Sequence, residues 1–116
     1  MVVELGQDQA LRLWWDALAG SVRGDGPDLS ARQMAILLTV YIKEGPHTVR
    51  GLAAGLNISK PAVTRALDRL AELKFTHRVK DEQDRRNVLI QRTVRGSAFL
   101  SEFAELVAAA AGGLDG

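Results

Sequence analysis

The sequence predicts a mainly α-helical fold with one small β-hairpin, arranged as a winged helix-turn-helix. Three observations support this prediction. Apolar residues recur at helical spacing in four successive segments. A tight turn joins the third segment to the fourth, and the pattern of a β-hairpin directly follows the fourth. The length of 116 residues is typical of one domain, so we expect a single domain over residues 1–116.

The first helix is predicted over about residues 7–22, where apolar side chains recur every three or four positions. The large apolar residues at this spacing are Leu11, Trp14, Trp15, Leu18 and Val22. Neighbouring residues are about 100° apart on a helix, so we expect one tryptophan to face the core and the other to mark an interface. The alternative is that both rings pack under the C-terminal helix. Residues 24–28, rich in glycine and aspartate, then break the helix.

Two further helices are bounded by residues that favour helix ends. Ser30 is a suitable N-cap for the second helix, and Gly45 and Pro46 follow its end. We expect its buried face to consist of Met34, Leu37, Leu38, Tyr41 and Ile42. Thr48 caps a short third helix that extends to about Leu56.

The fourth helix begins at Ser59, Lys60 and Pro61 and extends to about Lys74. Serine caps the helix, and proline is tolerated in the first turn because an N–H group there has no helical acceptor. We expect the buried side of this helix to consist of Val63, Ala66, Leu67, Leu70 and Leu73.

Residues 49–67 match the spacing of a helix-turn-helix. Ala53 provides the small residue that lets two helices cross closely, and Asn57 tolerates the left-handed turn between them. The apolar anchors are Leu52, Leu56, Ile58, Val63 and Leu67. The alternative is a generic helical hairpin, but the polar outer face of the second helix favours DNA binding. This face comprises Lys60, Thr64, Arg65 and Asp68.

A β-hairpin is predicted after the fourth helix. Residues 76–80 and 87–93 contain β-branched and apolar side chains, and the loop between them, residues 81–86, is wholly charged or polar. The final helix is predicted over about residues 95–111. Its apolar side consists of Phe99, Phe103, Leu106 and Ala110.

The composition argues against several classes of chemistry. Because the sequence has no cysteine, it holds neither a disulfide scaffold nor a cysteine-ligated zinc or iron–sulfur site. His47 and His77 are far apart in sequence, and we interpret them as exposed loop histidines rather than metal ligands. Without a phosphate-binding glycine loop, a nucleophile elbow or paired carboxylates, we expect no catalysis and no cofactor. Without a signal-peptide pattern or an apolar run of membrane-spanning length, we expect a cytoplasmic protein that does not contact a membrane.

The net charge of +1 is unevenly distributed along the chain. Residues 60–95 contain ten Lys or Arg and five Asp or Glu, a net charge of +5, whereas residues 1–59 carry −1 and residues 96–116 carry −3. A local basic surface is what binding to a phosphate backbone requires. The alternative is a solvated surface on which the charges cluster by accident.

The position of each polar residue on the fourth helix suggests its role. Ser59 and Lys60 stand at the N-terminus, where unpaired N–H groups and a partial positive charge favour a phosphate. Thr64 and Arg65 follow one turn later, where a helix in the major groove meets base edges. Arg65 suits a bidentate contact to guanine, with a phosphate contact as the alternative. Arg69, one turn further along, is expected to reach the DNA backbone.

Over about residues 29–100 the chain resembles the MarR-type winged-helix transcriptional regulators. The resemblance rests on the helix-turn-helix and on residues 81–96, which match the wing motif of that family. The matching wing residues are Asp84, Arg86, Thr93 and Gly96. The resemblance implies that Arg86 enters the minor groove and that Asp84 steadies the wing. Arg85 takes the place of Arg86 if the hairpin register is shifted by one residue.

Two residues depart from the family pattern. Arg92 stands where the family has leucine, so we expect the end of the second strand to be more solvated. Lys74 stands where a glycine usually closes the recognition helix, so we expect that turn to be mildly strained or shifted by a residue.

The resemblance also implies how the chain is organised. Residues 1–28 form an N-terminal helix and linker, residues 29–93 a DNA-binding core, and residues 94–116 a C-terminal helix. A homodimer is expected, joined through the terminal helices at about residues 1–22 and 97–111.

Double-stranded DNA is the partner that the resemblance implies. Regulators of this kind usually also bind a small-molecule effector between the DNA-binding lobe and the dimer interface. Here that location points loosely to Trp14, Trp15, Tyr41 and Phe99, and the alternative is that these side chains are plain core. The alternative function is a winged-helix module that binds protein and not DNA, because the fold alone permits both.

Overall fold

The computed structural model describes residues 3–114, which form five helices and a two-stranded antiparallel sheet. The elements are α1 (Gln7–Arg23), α2 (Ala31–Ile42), α3 (Val49–Leu56), α4 (Lys60–Glu72), β1 (Thr76–Lys80), β2 (Val88–Arg92) and α5 (Val94–Gly112). This order confirms the predicted fold class, and the predicted element ends differ from the observed ones by about two residues at most. Within residues 3–114, no helix has the length and apolar character needed to cross a membrane.

The chain forms two compact units. One comprises Leu29–Phe99 and contains α2, α3, α4, the hairpin and the start of α5. The other comprises the described residues before Leu29 together with those from Leu100 onward, so it contains α1 and most of α5.

Helices α2 and α4 supply most of the core of the unit Leu29–Phe99. Their fully buried side chains are Ile36, Leu37 and Val40 of α2 and Val63, Leu67 and Leu70 of α4. Leu52 and Ala53 of α3 are also buried, so burial is confirmed for three of the predicted anchors, Leu52, Val63 and Leu67, while Leu56 and Ile58 are only partly buried. The predicted burial of Ile42 is wrong, since its side chain is 69% exposed. The buried stripe of α2 passes through Val40, and Ile42 lies about 200° further round the helix.

Side-chain caps begin α2, α3 and α4 as predicted. Ser30 Oγ accepts the N–H of Gln33 at 3.1 Å, while Gln33 Oε1 accepts the N–H of Ser30 at 2.9 Å. Thr48 and Ser59 each accept the N–H of the residue three positions further on, at 3.0 Å and 3.2 Å. These bonds satisfy N–H groups that have no partner inside a helix, so the local sequence decides where the helices begin.

The turn of the helix-turn-helix is formed by Asn57, whose φ of 53° and ψ of 48° are left-handed as predicted. The N–H of Ile58 donates to the carbonyl oxygen of Ala53 at 3.1 Å, which closes α3 in a Schellman motif. Ala53 itself is only 8% exposed, as expected for the small residue at a close helix crossing.

Lys74 ends α4 in the same left-handed conformation, with φ of 62°. The N–H of Phe75 donates to the carbonyl oxygen of Leu70 at 2.9 Å, and the N–H of Lys74 donates to that of Ala71 at 3.0 Å. Together these bonds form a second Schellman motif, in which glycine is the usual residue. A lysine here brings its Cβ close to the backbone, so the expected strain is located at this residue.

The hairpin is attached to the unit Leu29–Phe99 through the centre of β2. The register pairs Arg78 with Ile90, and the Ile90 side chain is 3% exposed. The N–H of Ile90 donates to the carbonyl oxygen of His47 at 2.9 Å. This anchors the paired strands to the loop before α3 and leaves residues 81–87 as a loop beyond them.

The hydroxyl of Tyr41 joins α2 to both ends of the hairpin, and we call this group of contacts the Tyr41 junction. It lies 2.8 Å from the carbonyl oxygen of Phe75 and 2.9 Å from that of Thr93, and it accepts the N–H of Thr93 at 2.9 Å. Thr93 Oγ1 donates to the carbonyl oxygen of Lys74 at 2.7 Å and accepts the N–H of Gly96 at 3.0 Å. A side chain at position 96 would overlap the Tyr41 hydroxyl and the Phe75 carbonyl oxygen, so this position requires glycine.

Arg92 is exposed at the end of β2, as the departure from leucine suggested, but it also binds α2. Its Nε donates to the carbonyl oxygen of Val40 at 2.9 Å, and its guanidinium carbon lies 5.7 Å from the centre of the Tyr41 ring. Carbonyl groups in the last turn of a helix have no helical partner and carry partial negative charge. A leucine at this position would leave that carbonyl without the bond.

In the other unit, α1 buries one face and exposes a second apolar face. Ala17 is fully buried, and a Cβ added to Gly20 would lie 2.9 Å from Leu106 Cδ2 of α5, so these helices approach closely. Trp14 and Trp15 are 53% and 61% exposed, so the expectation that one ring faces the core is wrong. The exposed large hydrophobic residues of α1 are Leu11, Trp14, Trp15, Leu18 and Val22, and we call this set the α1 stripe. It lies about 150° around the helix from the face that packs.

The strain at Lys74 makes a stability prediction. Lys74→Gly removes the left-handed Cβ contact at the cost of glycine's greater unfolded-state freedom, so we expect a net gain of about 0.5–1 kcal/mol in the free energy of unfolding. Thermal denaturation should show a rise in Tm of a few degrees. Lys43→Gly is the control, because Lys43 follows α2 with φ of −86° and has no such strain. A Tm for Lys74→Gly as low as that of the control would contradict the assignment of strain.

Candidate nucleic-acid interface

The N-terminus of α4 is closed by a side-chain cap that keeps a donor free. Ser59 Oγ accepts the N–H of Ala62 at 3.2 Å, and a hydroxyl that accepts one bond can still donate its own proton. Lys60 follows it and is exposed. Pro61 contributes no N–H to the first turn. This end of α4 therefore offers a hydroxyl donor, an ammonium group and the positive end of the helix dipole to an anion.

The middle of α4 separates its buried and exposed residues cleanly. Val63 and Leu67 are fully buried, whereas Thr64 and Arg65 are exposed. Arg69 is partly exposed, and its Nη1 lies 3.5 Å from Glu72 Oε2 on the same helix. Arg65 is consequently free to reach a ligand, while Arg69 is restrained by a neighbouring carboxylate.

The exposed face of α4 is connected to the hairpin by Arg78, a residue that the sequence analysis did not select. Its Nη2 donates to Asp68 Oδ1 at 2.8 Å and to the carbonyl oxygen of Thr64 at 3.3 Å. Arg78 lies in the basic segment, residues 60–95, and alternation along β1 places it on the same strand face as Thr76 and Lys80. These were the only features of the sequence that pointed to Arg78. Its partner is ten residues away across the end of α4, and the sequence gives no means of pairing the two.

Two aspartates shape the hairpin loop. Asp84 Oδ1 accepts both the backbone N–H and the Nε of Arg86 at 3.2 Å, and the Asp84 carbonyl oxygen accepts the N–H of Asn87 at 2.9 Å. Asp81 Oδ1 accepts the N–H of Gln83 at 2.9 Å. These are short-range turns in which the aspartate side chain replaces a backbone acceptor. Asp84 thus binds the backbone N–H and the Nε of Arg86, while the Arg86 side chain stays 92% exposed.

Arg85 lies in the same loop and is also exposed. The hairpin register pairs Lys80 with Val88 at its last step, so Arg85 and Arg86 both lie beyond the paired strands. The register therefore does not show which of the two arginines takes the minor-groove role. They differ in that Arg86 bonds to Asp84.

Several cations at the candidate interface are free of ion pairs. The four ion pairs within residues 3–114 are Asp8–Arg12, Arg69–Glu72, Asp68–Arg78 and Asp84–Arg86. Lys60, Arg65 and Arg85 belong to none of them. Their charge is therefore available to an external anion.

Neither histidine belongs to an ion pair within residues 3–114. His77 is exposed but lies on β1, so its expected loop position is wrong. His47 lies in a loop and is only half-buried, with Nε2 3.0 Å from the carbonyl oxygen of Lys43. In the part of the chain that the structure describes, no group of three or more His, Cys, Asp or Glu residues is arranged to hold a metal ion.

Two of the aromatic residues considered for an effector are engaged inside the unit Leu29–Phe99. The Phe99 ring stacks on Phe75 with centroids 4.5 Å apart, and Tyr41 forms the Tyr41 junction. A cavity of about 410 Å³ in this unit is lined elsewhere, by residues that include Pro46, His47 and Arg92. Tyr41 and Phe99 are both partly exposed and engaged in contacts within this unit.

Comparison with known proteins gives the chain a family context. A model of the MarR family matches residues 29–88. The HTH-type transcriptional regulator PecS from Dickeya dadantii (strain 3937) is 34% identical over 79 residues, which are 66% of this chain and 48% of that protein. The chain therefore spans about half the length of this relative.

Solved structures resemble the chain over most of its length. A mutant of MepR from S. aureus matches 91% of this chain and 79% of its own, with a TM-score of 0.71 and 21% identity, and so supports the fold alone. A mutant of MarR from E. coli, solved in complex with operator DNA, matches 87% of this chain and 66% of its own. Its TM-score is 0.66 at 25% identity.

The role of Asp84 in ordering the loop is testable without any ligand. Asp84→Ala should free the Arg86 amide, so we expect the NMR order parameter of this amide to fall from about 0.85, typical of rigid backbone, to below about 0.6. The free energy of unfolding should change by less than about 0.5 kcal/mol, because the residue is partly exposed and outside the core. Glu82→Ala removes a carboxylate from the same loop and should leave the Arg86 amide rigid. Equal order parameters in the two variants would show that Asp84 does not order the loop.

Proposed function

The chain belongs to the MarR family, and on this basis we propose that it is a transcriptional regulator that binds specific double-stranded DNA sequences. In this proposal α4 is the recognition helix in the major groove, and the hairpin loop contacts the minor groove. The names of PecS and of the operator-bound MarR mutant support the same activity for this chain. The proposed activity is binding without catalysis, and it takes place in the cytoplasm.

The observation that carries the proposal is a set of exposed, unpaired cations on two connected elements. Within residues 3–114, Lys60 and Arg65 of α4 and Arg85 of the hairpin loop belong to no ion pair. Arg78 of β1 bonds to α4, so the hairpin that carries Arg85 is connected to the helix that carries Lys60 and Arg65. Phosphate contacts supply most of the affinity of DNA-binding proteins, and free cations are what such contacts need.

On α4, each residue is assigned a distinct contact. Ser59 and Lys60 contact a phosphate at the positive end of the helix dipole. Thr64 and Arg65 face base edges, with Arg65 donating two hydrogen bonds to guanine. Arg69, restrained by its partner on the same helix, contacts the DNA backbone.

At the hairpin loop, Arg86 is assigned to contact the minor groove, and Asp84 is assigned to orient Arg86. The minor groove distinguishes A·T from G·C pairs only coarsely, so Arg86 contributes affinity more than sequence preference. Arg85 contacts a flanking phosphate, and its exposure also allows it to take the place of Arg86.

A second copy of the chain is the proposed partner of the α1 stripe. An apolar stripe of this kind, with two tryptophans more than half exposed, is typical of a surface that is covered in an assembly. A two-fold dimer that reads two half-sites requires its two recognition helices to be ~34 Å apart, which is one turn of DNA. A small-molecule effector remains part of the proposal without an assigned site.

Arg65→Ala tests the assignment of α4. If Arg65 donates two bonds to guanine, affinity for the preferred sequence should fall by about 1–3 kcal/mol per half-site, with a much smaller loss on random duplex. Titrations of both duplexes at matched salt measure the difference. Arg86→Ala is the contrast, since it should weaken both duplexes alike and reduce the salt slope by about one. Wild-type protein that binds no duplex at low salt would refute DNA binding and favour a protein-binding module.

Leu18→Glu tests the dimer, because a carboxylate in the α1 stripe would be buried without a partner. We expect light scattering to give twice the 12.6 kDa chain mass for the wild type and the single-chain mass for the variant. Ile42→Glu is the control, since Ile42 is 69% exposed but lies outside the stripe. A wild type that stays monomeric at high concentration would exclude the dimer.

A further inference from the structure

Asp68 places a negative charge on the face of α4 that is proposed to meet DNA. It lies four residues after Thr64 and three after Arg65, so the three side chains share one face of the helix. Its side chain is 58% exposed. A carboxylate in this place is repelled by phosphates, and DNA that covers it would remove its water. The charge therefore needs a partner that remains in place when DNA binds.

Arg78 is that partner, and it reaches α4 from β1. Its Nη2 contacts Asp68 Oδ1 at 2.8 Å and the Thr64 carbonyl oxygen at 3.3 Å, two points one helical turn apart. Its backbone is held in the hairpin opposite the buried Ile90. The Arg78 side chain is 34% exposed, less than that of Asp68. Arg78 thus connects the recognition helix to the base of the hairpin.

We propose that Arg78 is a positioning residue for DNA recognition, which neutralises Asp68 and holds the hairpin against α4 without itself contacting DNA. The inference rests on the proposed function and names a residue pair that the interface depends on. The other acidic residue of α4, Glu72, pairs with Arg69 on the same helix at 3.5 Å, so that pair makes no connection to the hairpin.

The environment of the pair changes when DNA binds, and this distinguishes a positioning role from a structural one. In the free protein the pair is partly exposed, and exposed ion pairs contribute little to folding. Under DNA the same pair loses water, and an unpaired carboxylate there opposes binding strongly. Loss of Arg78 should therefore reduce DNA affinity far more than it reduces thermal stability.

A double-mutant cycle tests the proposal with Arg78→Gln, Asp68→Asn and both together. We expect Arg78→Gln to lower affinity for duplex DNA by about tenfold or more, with a Tm close to the wild type. The double variant has the same net charge as the wild type, so its affinity should return to within about threefold and its salt slope should be unchanged. Arg12→Gln is the matched control, because it breaks an ion pair of the same 2.8 Å length on α1.

Each result has a definite meaning. If Arg78→Gln lowers DNA affinity by the same factor in the wild type and in the Asp68→Asn variant, and also reduces the salt slope by about one, Arg78 is an independent phosphate contact. That result would overturn the inference. Wild-type affinity in Arg78→Gln would overturn it as well. A large fall in Tm that Asp68→Asn does not restore would assign the pair to folding. If the wild type itself binds no DNA, the proposed function is refuted. The wild-type titration therefore tests the proposed function separately from the role of Arg78, which only the variants test.

Discussion

The hydroxyl group of Tyr41 holds both ends of the hairpin beside α2, one of the helices that carry the core. It contacts the backbone where β1 begins, at Phe75, and where β2 has ended, at Thr93. Because a hydroxyl has one proton, it donates to one of these carbonyl oxygens at a time while it accepts the N–H of Thr93. Both ends of the hairpin are therefore held at one point beside α2. The absence of a side chain at Gly96 is what allows the backbone to come this close.

The Tyr41 junction and the buried side chains of α4 set the positions of the residues at the candidate interface. Val63 and Leu67 fix the rotation of α4, which turns Thr64 and Arg65 outward. The hairpin base is held through Ile90, but its loop is shaped by bonds among residues 81–87 themselves. The interface thus combines a rigid helix with a loop whose order depends on local aspartate turns. Such an arrangement suits recognition in one groove and adaptable contact in the other.

Elements that depend on short-range interactions could be predicted from the sequence with little error. Ser30, Thr48 and Ser59 cap the helices they were expected to cap, and Asn57 adopts the left-handed turn. The turn at Lys74 was expected to be mildly strained or shifted by a residue because the position favours glycine, and the positive φ of Lys74 agrees with the first alternative. These features involve residues within five positions of one another, so the pattern of residue types carries the information. The proposed contact residues of α4 followed from the same periodicity.

By itself, the sequence determined the order of elements, the helix ends, the buried face of α4 and the concentration of positive charge in residues 60–95. Only the tertiary structure decided which side chains meet across the chain. It exposed Ile42 and both tryptophans of α1, although the periodicity predicted burial of Ile42 and of one tryptophan. It also paired Arg78 with Asp68, a contact that no local pattern indicates. The physical reason is that burial and ion pairing depend on which surfaces come together in space, whereas periodicity describes only one element at a time.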